Sequence, residues 1–293
     1  MRWVSDSETP GRLVVETSAR RQADVIDTHC HLDLLLRSDR RAGCRTLSEY
    51  QERIGGFNVK GCVTNFEDPR RWLMSSMVKE ILSEPGVWGA FGCHPHRAGS
   101  FSKEDLQFLK EISREEKVKA IGEIGLDYSR NNRVTSGVQK EVFSRQLELA
   151  VEIGMPIVLH IREAERDAHE IVRRIVPRGH MLHRHCVTGD PQVQQMYNEE
   201  YANCYFGFTG LVTNPHASNA HEAVRKLPLS RLVLEMDAPY FVPHELRGGW
   251  RWSHPGMVVR IAEAIAKIKN LDKEEVAHQT TYNAQRLYDL PLK

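Results

Sequence analysis

An α/β fold of the TIM type, a (β/α)8 barrel, is what this sequence predicts, and three features predict it. Short β-branched apolar runs recur eight times, each followed by a polar or Gly/Pro break and then a stretch of helical length. At 293 residues the chain is long enough for one such barrel, whose usual size is about 250 residues. An open doubly wound sheet would carry a glycine-rich phosphate turn after an early strand, and no GxGxxG occurs. Without internal repeats, low-complexity tracts or Pro/Ser-rich linkers, residues 24–293 read as one domain. Residues 1–23 read as a flexible polar lead-in.

The first run, VIDTHCHL from Val25, ends in two histidines. Period-two alternation puts His29 and His31 on one face, with Asp27 and, if the strand extends so far, Asp33; Cys30 faces the other way. The second run is VKGCVTNF from Val59, followed by a helical stretch over 68–84. The third, VWGAFGCHP from Val87, ends in His94 and His96 and leads to a helix over 102–117. The fourth, KAIGEIGL from Lys119, carries Glu123 and then Asp127. After it comes a helix over 139–154, where Val142, Phe143, Leu147, Leu149 and Ala150 make a buried stripe and Gly154-Met155-Pro156 a stop. Runs five and six, PIVLHI from Pro156 and GHMLHRHC from Gly179, bring His160, His183 and His185. CYFGFTG from Cys204 and LVLEMDAP from Leu232 complete the set, the last with Glu235 and Asp237, and a helical segment from His254 onward closes the chain.

Composition narrows the setting. The hydrophobic content of 41% suffices for a large core, and a net charge of +1 makes no global demand for nucleic acid. Six cysteines without a CxxC pair read as reduced buried thiols, hence an intracellular protein, with the nucleus favoured once a nucleic-acid substrate is considered. No run of about 18 apolar residues and no signal-peptide core occurs, so no membrane association is expected, and no obligate protein partner is evident.

Catalytic residues in such barrels sit at the carboxyl ends of strands, where the titratable residues of this chain concentrate. A core strand gains nothing from a charge near its end unless that group finds a partner. Any one of these histidines could be a satisfied core residue; their recurrence on four strands, with carboxylates on two more, points to a metal centre. Imidazoles and carboxylates without thiolates suit Zn²⁺, Mn²⁺, Co²⁺ or Mg²⁺. About six ligands exceed one four-coordinate ion and match two ions sharing a carboxylate.

The blocks DTHCHLD (27–33), FGCHPH (91–96), AIGEIGLDY (120–128), PIVLHIREA (156–164), HCVTG (185–189) and EMDAP (235–239) run in the order of one family. The chain resembles the TatD-type metal-dependent nucleases of the amidohydrolase-like superfamily, most of all the catalytic domain of the second vertebrate paralogue. The resemblance implies that His29, His31 and Asp237 hold one cation, that His160 and His185 hold another, and that Glu123 bridges them. It selects His185 over His183, which spacing leaves open. Val187, Thr188 and Met236 depart from the family pattern without removing a ligand, and RWSHP, Arg251 to Pro255, replaces a familiar Arg-Asn-x-Pro.

Two divalent cations, Mg²⁺ favoured, would then activate a water for attack on a phosphodiester, with Asp237 and Glu123 as catalytic carboxylates and Asp237 the general base. His94, His96 and Arg162 are placed to bind the scissile phosphate. Beyond the eighth run, Tyr240, Phe241, Trp250 and Trp252 interleave with Arg247 and Arg251 in an aromatic-basic loop suited to single-stranded nucleic acid, with Trp250, Arg251 and Trp252 as the expected contacts. The expected activity is a deoxyribonuclease, a 3′-5′ exonuclease on single strands, with RNA as a further substrate. A small-molecule amidohydrolase or phosphoesterase on the same barrel, or a silent nucleic-acid-binding scaffold, are the competing readings.

Overall fold

A computed structural model describes residues 22–39, 43–54, 58–72 and 76–291. Eight parallel strands form one sheet in strictly sequential order: β1 (Gln22–Cys30), β2 (Asn58–Phe66), β3 (Val87–Phe91), β4 (Val118–Asp127), β5 (Ile157–Arg162), β6 (Leu182–Arg184), β7 (Cys204–Phe208) and β8 (Leu232–Leu234). Each strand is the one its apolar run predicts. The predicted lead-in lies outside the described residues, apart from Gln22 and Ala23, which open β1.

Helices fill the crossovers: α1 (Leu32–Ser38), α2 (Leu47–Ile54), α3 (Pro69–Trp72), α4 (Ser76–Ser83), α5 (Lys103–Ile112), α6 (Ser136–Ile153), α7 (Glu165–Ile175), α8 (Pro191–Glu200), α9 (Ser218–Lys226), α10 (Val258–Lys269) and α11 (Lys273–Tyr288). The stretch 68–84 holds two helices, α3 and α4. α5 begins with a reciprocal capping box between Ser102 and Asp105. α6 ends at Gly154, whose φ of +73° gives the left-handed cap that glycine tolerates. Among the described residues, no helix is long and apolar enough to cross a membrane.

Strand residues divide between two cores. Outward-facing side chains such as Ile121, Leu159, Leu182, Phe206 and Leu234 pack under the helices. Inward-facing Ile26, Val63, Ala120, Val158, Tyr205 and Val233 cluster with Ala284, Leu287 and Tyr288 of α11. These inner residues precede the polar strand ends, so α11 plugs the amino-terminal mouth of the barrel and leaves the carboxyl-terminal mouth for the site.

The seam between the first and last strands is tied by polar groups. Thr28 Oγ1 donates to the Leu234 carbonyl at 2.9 Å, and Asp27 Oδ1 accepts from the Met236 N–H at 2.9 Å. The Asp237 N–H donates to the His29 carbonyl, and the His31 N–H to the Ala238 carbonyl. Asp27 therefore serves the seam, and Asp33 lies in α1, 3.8 Å from Arg71, since β1 ends at Cys30. Among the described residues no cysteine forms a disulfide.

Candidate active site

The polar strand ends converge at one mouth. His29 lies near the end of β1, where the pairing register with β2 shifts between Asp27 and Cys30. His31 follows directly, before the first turn of α1. Glu123 and Asp127 come from β4, His160 from β5, His185 from just after β6, and Asp237 from the turn after β8. His29, His31, Glu123, His185 and Asp237 are all nearly inaccessible to solvent.

His31 Nε2 lies 3.2 Å from Asp237 Oδ1 and 3.3 Å from Glu123 Oε1. Glu123 Oε2 lies 3.1 Å from His160 Nδ1 and 3.6 Å from His185 Nε2, with His29 Nε2 at 3.8 Å. His29 faces Asp237 Oδ1 at 3.7 Å, and its ring stacks on His185 with centroids 3.6 Å apart. The six residues that the family resemblance singles out thus form one cluster, with the two oxygens of Glu123 turned to different imidazoles. His29, His31 and Asp237 form one group whose ligand atoms lie within 4.8 Å of one another; His29, Glu123 and His185 form another.

Surrounding groups orient these rings. His31 Nδ1 donates to the Asn65 carbonyl at 2.9 Å, which leaves Nε2 as a lone pair facing the cluster. His185 Nδ1 lies 3.3 Å from Glu235 Oε2, and Asp127 Oδ2 lies 3.4 Å from His160 Nε2 and 2.9 Å from His96 Nε2. Asp127 Oδ2 thus stands between the His160 and His96 rings.

The donor set fits divalent cations. His29 Nε2 and His31 Nε2 face each other at 3.4 Å, and with the His31 proton on Nδ1 the two rings converge on one small space. Asp237 Oδ1 is buried there and makes no hydrogen bond. Among the described residues no lysine or arginine pairs with Glu123, Asp237 or Glu235, so the carboxylates balance only against imidazoles. Burial and the neighbouring His185 push the His29 imidazole far below its ordinary range, into the neutral form a cation requires. Burial opposes charge on Glu123 too, but the surrounding imidazoles, with His160 hydrogen-bonded at 3.1 Å, hold its carboxyl well below the usual range. For His160 burial is outweighed by Asp127 and Glu123, which lift it to about 9. Without a cation, protons supply the missing positive charge.

The cluster floors a cavity of about 410 Å³, whose wall includes His94, His96, Arg97, Arg162, Glu67, Tyr240 and Phe241. His94, His96 and Arg162, predicted as phosphate contacts, line it. Trp250, Arg251 and Trp252 do not. Trp250 and Trp252 pack against the outer core, Trp250 beside His254 at 5.3 Å, and Arg251 stacks over Trp252 at 5.0 Å. Of the aromatics in that loop, those at the mouth are Tyr240, 50% exposed and edge-on to His31, and Phe241 beside it. Sequence reasoning passed over Glu67, although an acidic pair, Glu67-Asp68, directly follows the second apolar run.

Comparison with known proteins agrees with this architecture. The family model described as TatD related DNase matches residues 26–289. The chain is 38% identical over 269 residues to the human 3'-5' RNA nuclease TATDN2, covering 90% of this chain and 35% of that protein, and so spans about a third of that relative's length. It is 35% identical over 265 residues to the uncharacterized metal-dependent hydrolase YabD of Bacillus subtilis, covering 90% of this chain and 98% of that one. The crystal structure of YJJV, a TatD homolog from Escherichia coli, superposes with a TM-score of 0.73 at 24% identity, covering 92% of this chain and 99% of that one, and shares the barrel fold. With the family model spanning nearly the whole barrel, the chain belongs to the TatD-related DNase family.

Proposed function

We propose that the chain is a divalent-metal-dependent nuclease that hydrolyses phosphodiester bonds, removing nucleotides from the 3′ end of single-stranded nucleic acid. One observation carries this reading: Glu123 at the cavity floor turns Oε1 to His31 and Oε2 to His160 and His185, the disposition of a carboxylate shared between two cations. His29, His31 and Asp237 would hold the first cation and His160 and His185 the second, with Mg²⁺ the favoured ion. Bound there, the pair supplies Lewis acidity toward a phosphodiester oxygen and a water made acidic near neutral pH.

The side chains do the rest. Asp237, with a buried oxygen free of hydrogen bonds, accepts the proton of the attacking water. Arg162, exposed at the lip, offers a planar fork to the scissile phosphate, with His94 and His96 on the same wall. The name of the human relative favours RNA and the family description favours DNA. A nuclear location follows only from this substrate class, and microscopy of a tagged chain tests it.

The deciding experiment incubates the purified chain with end-labelled single-stranded RNA and DNA, in Mg²⁺, Mn²⁺ or chelator. Stepwise shortening from the 3′ end that requires metal is expected, with Glu123→Ala slower by about 1,000-fold or more. Metal-independent cleavage, or an unimpaired Glu123→Ala, overturns the proposal.

A further inference from the structure

Below the cluster, the barrel axis holds a polar column that the proposed chemistry leaves unused. His183 projects inward from β6, fully buried, with Nδ1 2.6 Å from the hydroxyl of Tyr288, the last residue of α11. Its Nε2 lies 2.9 Å from Glu235 Oε2, the same oxygen that stands 3.3 Å from His185 Nδ1. Both contacts lie off the ideal N–H line, while Glu235 Oε1 accepts the Cys186 N–H at 2.5 Å. The space is built for this pair: a β-carbon on Gly207 would overlap Glu235 Oε2 and stand 2.5 Å from His183 Nε2.

Donor chemistry orders the column. A carboxylate only accepts, so a neutral His183 carries its proton on Nε2, and Nδ1 accepts from the Tyr288 hydroxyl. The alternative acceptor for that hydroxyl, the Thr28 carbonyl, is farther away at 3.4 Å. By the same logic Glu235 keeps the His185 proton on Nδ1 and leaves the Nε2 lone pair toward Glu123 and Asp237.

We propose that Tyr288, His183 and Glu235 form a positioning chain that fixes the orientation and tautomer of His185, so that docking of α11 and binding of the cation held by His185 favour each other. The proposal rests on the two-cation reading above. Partners that orient a metal-binding histidine are worth about 10–100-fold in metal affinity, and such linkage is reciprocal.

Calorimetric titration of Mn²⁺ into the full chain tests it, comparing wild type with Tyr288→Phe, His183→Leu and His183→Gln. Phenylalanine keeps the ring and loses the donor; glutamine keeps an amide donor for Glu235. Tyr288→Phe and His183→Leu are expected to weaken one of the two Mn²⁺ sites about tenfold and spare the other, with His183→Gln recovering most of the loss. In wild type, Mn²⁺ should slow hydrogen exchange across residues 273–288, and Tyr288→Phe should abolish that slowing. If Tyr288→Phe lowers only the metal-free melting temperature while Mn²⁺ affinity holds, the chain is structural and the proposal falls. Should that variant not fold, the His183→Leu and His183→Gln pair decides by the same affinities. A wild-type chain that takes up no Mn²⁺ overturns the two-cation reading as well; normal uptake with unaltered variants overturns the positioning chain alone.

Discussion

Tyr240 and Trp250 sit ten residues apart in one loop region, yet the structure gives them opposite environments. Tyr240 is held at the cavity by its N–H bond to the Asp237 carbonyl at 2.9 Å, whereas Trp250 packs beside His254. Base stacking on an aromatic face is worth about 1–3 kcal/mol. Tyr240→Ala should therefore raise KM for a single-stranded oligonucleotide by roughly 5–150-fold and leave turnover of a small chromogenic phosphodiester little changed. Steady-state kinetics on both substrates measure this, and equal losses would refute stacking. Trp250→Ala should act on stability instead. The sequence could not separate these aromatics, because composition and spacing are alike for a ring on a wall and a ring in a core. Most cluster residues were legible because they are charges or imidazoles in or near the end of an apolar run, where such a group needs a partner, while the choice of His185 over His183 came from the family resemblance.

At the scale of elements, alternation identified every strand, but it could not reveal where the register slips. β1 shifts against β2 between Asp27 and Cys30, so Asp27 serves the β8 seam while His29 joins the cluster. Simple period-two reading had put both on one face, and the shift depends on pairing that only the closed barrel supplies. β7 shows the opposite case, a strand whose plain glycine carries information: Gly207 makes room for Glu235 and His183. Gly207→Ala should destabilise the fold by about 1–3 kcal/mol through overpacking and weaken Mn²⁺ uptake, read by denaturant unfolding and calorimetry. Unchanged values in both would show that the column yields freely.

For the whole molecule, the barrel was predictable because eight alternations admit few closed arrangements. The role of α11 as plug was not, because a helix packed beneath a barrel and one packed beside it carry the same amphipathic pattern. Two global predictions follow from the buried groups. Burial pushes the His254 imidazole down to about 4. Below the unfolded value near 6.5 the unfolded chain gains protons first, so His254 supports the fold fully above that pH and its support fades as pH falls toward 4. The amount is about 3 kcal/mol, and His254→Leu should flatten the wild-type stability slope across that window in urea unfolding. Cation binding to the folded state alone should raise the melting temperature, and a chelator should lower it, by about 4 kcal/mol in stability at a thousandfold excess over Kd. A melting point indifferent to both would argue for a site that holds no ion.

The seam that joins Thr28 to Leu234 also sets a schedule for biosynthesis. During translation, His29 and His31 emerge early and remain without Asp237 until the eighth strand has left the ribosome. Five of the six residues gathered around Glu123, counting that carboxylate itself, then exist in a nascent chain that has no closed ring to hold them together. The complete cluster should accordingly arrive late and all at once, leaving arrested or prematurely terminated polypeptides without it.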